Sequence, residues 1–202
     1  MKIRRLLTVA LFAAASYATA FAQEPSQEGR HEHDQHTFQA TVAGACTNKD
    51  DFSFTKAPLF NGASGAFRIY CDLTGNSTQG RLRFQAVAEE EFSPTSCTLA
   101  GGQSGGYLFP LAGFTIVLTL EDNQDQLYLA LVKGSECGNP YITPLGIGQS
   151  TLTVIGGTGR FQGATGSMSI SWTDDILVFS ALSPEGFFGT FQGKLEGSIT
   201  LK

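Results

Sequence analysis

The 202-residue chain has little charge, little histidine and almost no tryptophan: charged residues make up 15%, with three histidines and one tryptophan. An average soluble domain carries about 25% charged residues. Every histidine lies between Gln23 and His36, so the sequence from Thr37 onward has none. Ser-His-Asp triads and Cys-His pairs are therefore excluded from that body. Lys+Arg number 13 against Asp+Glu 18, a net charge of −5, and this acidic balance argues against a nucleic-acid partner. No CxxC pair and no histidine lies near the cysteines, so no structural zinc site is expected. No segment carries a helical apolar stripe, and no hydrophobic run after the first is long enough to span a bilayer.

What remains is rich in glycine and phenylalanine, 24 and 16 residues, as in a glycine-punctuated β protein. The first 22 residues read as a signal peptide: basic Lys2, Arg4 and Arg5, an apolar run from Leu6 to Phe21, and a small-residue junction that places cleavage after Ala22. This predicts a secreted or periplasmic protein, more acidic once those three cations are removed, with no membrane span after cleavage. Residues 23–36, QEPSQEGRHEHDQH, have no aliphatic or aromatic side chain and read as a solvated, disordered leader. His31, His33 and His36, interleaved with Glu32 and Asp34, are a weak candidate metal site; a flexible polar tail with no fixed ligands is the plainer reading, and no metal is expected. Residues 37–202 make one domain.

Four cysteines, Cys46, Cys71, Cys97 and Cys137, fit an oxidising compartment. They permit three pairings, of which Cys46–Cys71 and Cys97–Cys137 join segments nearest in sequence. Periodicity from Thr37 onward is two. Phe187, Phe191, Leu195, Ile199 and Leu201 alternate with Thr190, Gln192, Lys194, Glu196, Ser198 and Thr200, and Met168, Ile170 and Trp172 alternate with serines. Further strands are predicted at 37–43, 65–72, 81–92, 111–120, 126–133, 151–155 and 176–181, with turns at Leu73-Thr74-Gly75-Asn76, Asp122-Asn123-Gln124 and Thr173-Asp174-Asp175. Eight or nine such strands are best accommodated by a closed antiparallel barrel, which removes exposed edges.

The run Gly156-Gly157-Thr158-Gly159-Arg160-Phe161-Gln162-Gly163-Ala164-Thr165-Gly166 spaces its glycines one residue too far for a dinucleotide fingerprint, and a strand pattern follows it where a helix is required. No cofactor is expected. Gly156, Gly157, Gly159, Gly163 and Gly166 are assigned to a structural turn between strands. This run, with Phe188-Gly189-Thr190-Phe191-Gln192-Gly193-Lys194-Leu195-Glu196-Gly197, resembles the closing hairpin region of the allene oxide cyclase and dirigent barrel superfamily, and in particular small exported bacterial proteins of that type. The likeness covers Leu127 to the carboxyl terminus. It implies an eight-stranded antiparallel barrel around an apolar cavity. In that superfamily one set of members cyclises a fatty-acid epoxide and another guides phenoxy-radical coupling. Dirigent proteins commonly carry Ala-Arg-Gly where this chain has Ala164-Thr165-Gly166, so the resemblance extends to the fold and not to dirigent activity.

Large side chains on strands, Phe84, Tyr128, Met168, Trp172, Phe187 and Phe191, are the candidates to line a site for a small apolar or aromatic ligand; filling the barrel is the alternative use of the same residues. Polar candidates are Glu89-Glu90-Glu91, Asp174-Asp175, Arg68, Arg83, Tyr70 and Tyr128. Of Glu89 and Glu90 at most one can face inward, because neighbours on a strand alternate, and a solvated acidic strand end is expected. No catalytic residue is assigned. The leading expectation is a binding protein without catalysis. The alternatives are a cyclase or dirigent-like guide of a reactive intermediate, which as an enzyme would be of isomerase or cyclase type, and a cell-surface or matrix interaction module. A homo-oligomer is compatible with the sequence but not indicated by it. Packing separates these readings: a barrel filled by Phe and Trp favours the interaction module, an open cavity with a paired carboxylate the enzyme, and an open dry one the binder.

Overall fold

Residues whose side chains alternate between apolar and small polar can bury one face only by pairing edge to edge, and here nine segments do so. The computed structural model describes residues 35–48, 67–139, 143–179 and 187–202. The expected signal peptide, its cleavage site, and the leader through Asp34, with His31 and His33, lie outside them. In chain order the strands are β1 (Gln35–Asn48), β2 (Phe67–Ser77), β3 (Gly80–Glu90), β4 (Ser93–Cys97), β5 (Gly106–Leu120), β6 (Gln126–Asn139), β7 (Thr143–Gly157), β8 (Thr165–Phe179) and β9 (Phe187–Thr200).

The order β3-β2-β1-β9-β8-β7-β6-β5-β4, closed by pairing of β3 with β5, makes an eight-stranded antiparallel barrel. The short β4 continues β3 along the same edge of β5, opposite Gly106–Leu108. Inward positions are filled by Phe38, Val42, Leu73, Leu82, Phe84, Ile116, Leu118, Leu129, Leu152, Met168, Ile170 and Leu195, all buried.

Three local expectations are corrected. β1 starts at Gln35, and His36 is already paired with Ile199, so the leader ends earlier than Thr37. Leu73-Thr74-Gly75-Asn76 lies inside β2, because all four pair with β3, and the reversal falls at Thr78-Gln79. Thr173-Asp174-Asp175 is no turn. Each of these residues pairs with both β7 and β9, so the strand expected at 176–181 is the continuation of β8.

The Gly156–Gly166 run does join two strands, through a 3-10 turn at Gly159–Phe161. Gly159 has φ +55, and a Cβ there would lie 1.6 Å from an Asp125 carboxylate oxygen, so glycine is required on both counts. Arg160 donates from Nε to that carboxylate at 3.0 Å, pinning the turn.

The two disulfides are Cys46–Cys71 and Cys97–Cys137. Cys46 and Cys71 face each other across β1 and β2. Cys97 reaches Cys137 over β5 at Gly106, where a Cβ would lie 2.9 and 2.7 Å from the two sulfurs. Both bonds tie down the end of the barrel at which β1, β3, β6 and β8 finish. Such bonds persist in oxidising compartments.

Candidate functional site

The sequence-predicted ligand residues divide. Phe84, Met168, Trp172 and Phe191 are brought together inside the barrel. Phe84 stacks on Phe191 with ring centroids 6.3 Å apart, Phe191 on Trp172 at 5.9 Å, and Phe114 meets Trp172 edge-on at 6.0 Å. Offset and edge contacts of this kind suit the aromatic quadrupole. Tyr128 does not join them. It sits between the inward Leu127 and Leu129, so it faces outward, where its hydroxyl donates to Gln126 Oε1 at 2.8 Å. Phe187 opens β9 opposite Asn48 and Phe179, and its side chain is outside the described residues.

The middle of the barrel is filled. Leu82, Phe84, Ile116, Leu129, Leu152 and Leu195 are completely or almost completely buried there. Among the described residues, the large concavities are open grooves on the outer wall. One of about 610 Å³ is lined by Thr41, Thr74, Asn76, Gln192 and Lys194, and one of about 840 Å³ by Tyr70, Gln85, Thr115 and Val117.

The end held by the disulfides is different, because the inward face there turns acidic. On β8 the inward series Met168, Ile170, Trp172 continues to Asp174, 6% exposed. On β3 the series Leu82, Phe84, Ala86, Ala88 continues to Glu90, 2% exposed. Glu89 takes the opposite face, as alternation requires, yet it too is buried, 3.6 Å from the Arg68 guanidinium. The solvated acidic strand end is thus overturned for both residues.

A third carboxyl, Glu136, comes from β6 and was not among the sequence candidates. Leu127, Leu129 and Leu131 set an inward phase that would turn Glu136 outward. A bulge between Leu131 and Lys133 inserts Val132, which is exposed, and reverses the phase. Glu136 then lies opposite Gly148, and its Oε2 accepts the Trp172 indole N–H at 3.0 Å.

Two glycines on β7 make the space. A Cβ on Gly148 would lie 2.0 Å from the Trp172 ring; one on Gly146 would lie 2.1 Å from Asp174 Oδ1 and 3.0 Å from Glu136 Oε1. The last pair also shows that the two carboxyls converge on one spot. Asp174 Oδ1 is buried there and accepts no hydrogen bond.

Desolvation governs the charge state of this group. Burial pushes Glu90 well above the ordinary range, and the negative charges of Glu136 and Asp174 push it further. Burial also raises Glu136, opposed by the Trp172 N–H, which favours its ionised form. Asp174 is pushed up to about 8, by burial first and then by Glu136. The three titrate as a set. At neutral pH Asp174 holds a proton; the Glu90 carboxyl is shifted in the same direction, and the indole donor favours the ionised form of Glu136. The end of the barrel therefore holds an acid able to give up a proton, Asp174, beside the hydrogen-bonded carboxyl of Glu136, against an aromatic wall. Among the described residues no group of three or more His, Cys, Asp or Glu has a metal-binding arrangement.

No protein-family model matches the chain, and no curated protein matches it. In structure it is similar to two pterocarpan synthase dirigent proteins. GePTS1 gives a TM-score of 0.31 at 9% identity, over 82% of this chain and 84% of that one. PsPTS1 gives 0.28 at 6% identity, over 83% and 96%. Likeness at this level carries no functional weight.

Proposed function

We propose that this barrel is a binding protein for a small aromatic molecule, held at the acidic end with its ring against Trp172 and Phe191 and its polar atoms toward Asp174. The observation that supports this is the position of Asp174 Oδ1, buried without a hydrogen-bond donor beside the aromatic run. Leaving such a group unsatisfied costs about 1–3 kcal/mol, and a second molecule that pairs with it removes the cost. The filled middle counts toward the alternative of an interaction module on the outer face, and it leaves a ligand only this end of the barrel. The disulfides hold the strands around the site in an oxidising compartment.

One observation favours a second reading, acid-assisted guidance of a reactive intermediate: Asp174, at about 8, keeps a proton it can donate at neutral pH. Native mass spectrometry of protein purified from its own host tests the binding reading. A small-molecule adduct that is lost on denaturation is expected. Bare protein that also takes up no added aromatic compound contradicts it.

A further inference from the structure

Carboxyls packed together without water can stay neutral where they are, but they cannot all ionise there. Glu90, Glu136 and Asp174 reach one inward region from β3, β6 and β8. The region is closed: Asp174 fills the space left by Gly146, and Trp172 the space left by Gly148. Around this end β1 and β2 supply the Cys46–Cys71 disulfide, β7 those two glycines, β9 Phe191, and β5 Phe114, Phe109 and, at the mouth, Tyr107. The charges that act on the three carboxyls are negative, one another's and that of Asp175 beside Asp174. Arg68 lies on the other side of the wall, 3.6 Å from Glu89. Ionisation in the closed state therefore sets like charges against each other with nothing to screen them.

The mouth of this end has a part that can move. A Cβ on Gly138 would lie 3.5 Å from Glu136 Oε1 and 3.8 Å from the Phe109 ring, which places that ring beside the carboxyl. Phe92 packs edge-on against Phe109 with centroids 5.9 Å apart, and against Tyr107 at 5.5 Å. Phe92 is 54% exposed and Tyr107 42%, so on this side the two rings are the last layer before water. Phe92 stands in the irregular step between β3 and β4, two residues after Glu90. That step is tied to β5 by Glu91 N–H donating to Pro110 O at 2.9 Å, and β4 pairs with β5 at three positions, with an irregularity between Ser93 and Ser96. Cys97–Cys137 then fixes the chain. Residues 91–96 form a flap with few backbone bonds, running from a buried carboxyl to a disulfide, and segments of this kind open at little cost.

We infer that the acidic end is a gate worked by proton loss: it stays shut while the buried carboxyls are neutral, and when they ionise the Phe92 flap lifts from Phe109 and Tyr107 and admits water to Trp172. Water then screens the charges that the closed packing cannot. The sign follows from linkage, since the closed form binds the extra proton and is favoured at low pH, and its advantage is lost as pH rises through the Asp174 value of about 8. Each opening sends a carboxyl proton to solvent, and no bond to carbon changes. The gate needs no ligand, so it stands or falls apart from the binding reading above.

Trp172 is the single tryptophan of the chain and donates to Glu136, so quenching of its emission by acrylamide reads the gate directly. The whole protein is measured without ligand from about pH 6 to about pH 9, either side of the Asp174 value. One proton lost per opening makes the quenching constant climb by as much as about tenfold per pH unit before it levels off, while the far-UV circular dichroism stays constant. Asp174→Asn should flatten the climb, and Glu136→Gln should independently reduce it. Phe92→Ala should raise quenching already at the acid end of the range, where the wild-type protein is shut. Wild-type quenching that is flat across the range overturns the gate, and that result needs no variant to fold. A climb that both carboxyl variants keep overturns it too, as does one that accompanies loss of the dichroism, which is unfolding of the whole barrel. Unchanged quenching in Phe92→Ala overturns the assignment of the flap.

Discussion

Replacing Asp174 by Asn should make the protein more stable, and increasingly so as pH rises. The sign follows from the direction of the shift. In the unfolded chain this carboxyl titrates near 3.8, and in the folded barrel near 8. Between those values the folded state holds the extra proton, so wild-type stability falls as pH climbs from about 4 to about 8 and levels off above that. One pKa unit is about 1.4 kcal/mol, which caps the burden at pH 7 at about 4 kcal/mol for the shift of Asp174 from 3.8 to about 8. Part of it belongs jointly to Asp174 and Glu136, whose charges oppose each other. A gain of about 2–4 kcal/mol at pH 7 is therefore expected for Asp174→Asn, shrinking toward zero near pH 4. Asn keeps the shape, and its amide can donate toward Glu136 where Asp174 Oδ1 has no partner. Urea unfolding followed by Trp172 emission at pH 4.5, 6, 7 and 8, values spanning about the window just derived, measures it. A gain independent of pH, or a loss of stability at pH 7, refutes the reasoning.

Other perturbations test neighbouring parts of the account. Replacing both members of Cys46–Cys71 or of Cys97–Cys137 by Ala should cost about 3.5 or 4 kcal/mol in the chain-entropy picture, given separations of 25 and 40 residues; thermal unfolding of each variant checks this. Gly148→Ala should destabilise by about 1–3 kcal/mol or more and alter Trp172 emission, because the new methyl would lie 2.0 Å from the ring. Trp172→Phe removes the indole donor and should raise the Glu136 pKa further, read by carboxyl NMR, while keeping an aromatic ring in the stack.

The barrel itself was readable because alternation over β9 and the first half of β8 leaves one face wholly apolar, and a sheet built from such strands has to close or be covered. The acidic end was harder, and each carboxyl was obscured for its own reason. Glu90 lies in phase with Leu82 and Phe84, so its direction follows from alternation; its burial does not, since strand ends usually meet water. Asp174 was hidden by turn chemistry. Two adjacent aspartates signal a reversal locally, but pairing with β7 and β9 on both sides holds them extended. Glu136 was hidden by the bulge at Val132, which flips the phase of everything after it. An available sign was the alternation of Gly134, Glu136 and Gly138, a charged residue flanked on its own face by glycines. Tyr128 failed in the opposite way: it is a large aromatic on a strand, but it lies one residue out of phase with Leu127 and Leu129.

A barrel packed with hydrocarbon ends here in a set of buried carboxyls whose pKa values are raised, that of Asp174 to about 8. Carbon-13 NMR titration of the side-chain carboxyls tests it most directly. Asp174 is expected to titrate with a midpoint of about 8 and Glu90 with its midpoint raised above the ordinary range, and binding of an aromatic molecule is expected to move both. Ordinary titration of Asp174 and Glu90 near 4, the range of about 3.9–4.3 typical of solvated carboxyls, with no response to added ligand, would contradict it.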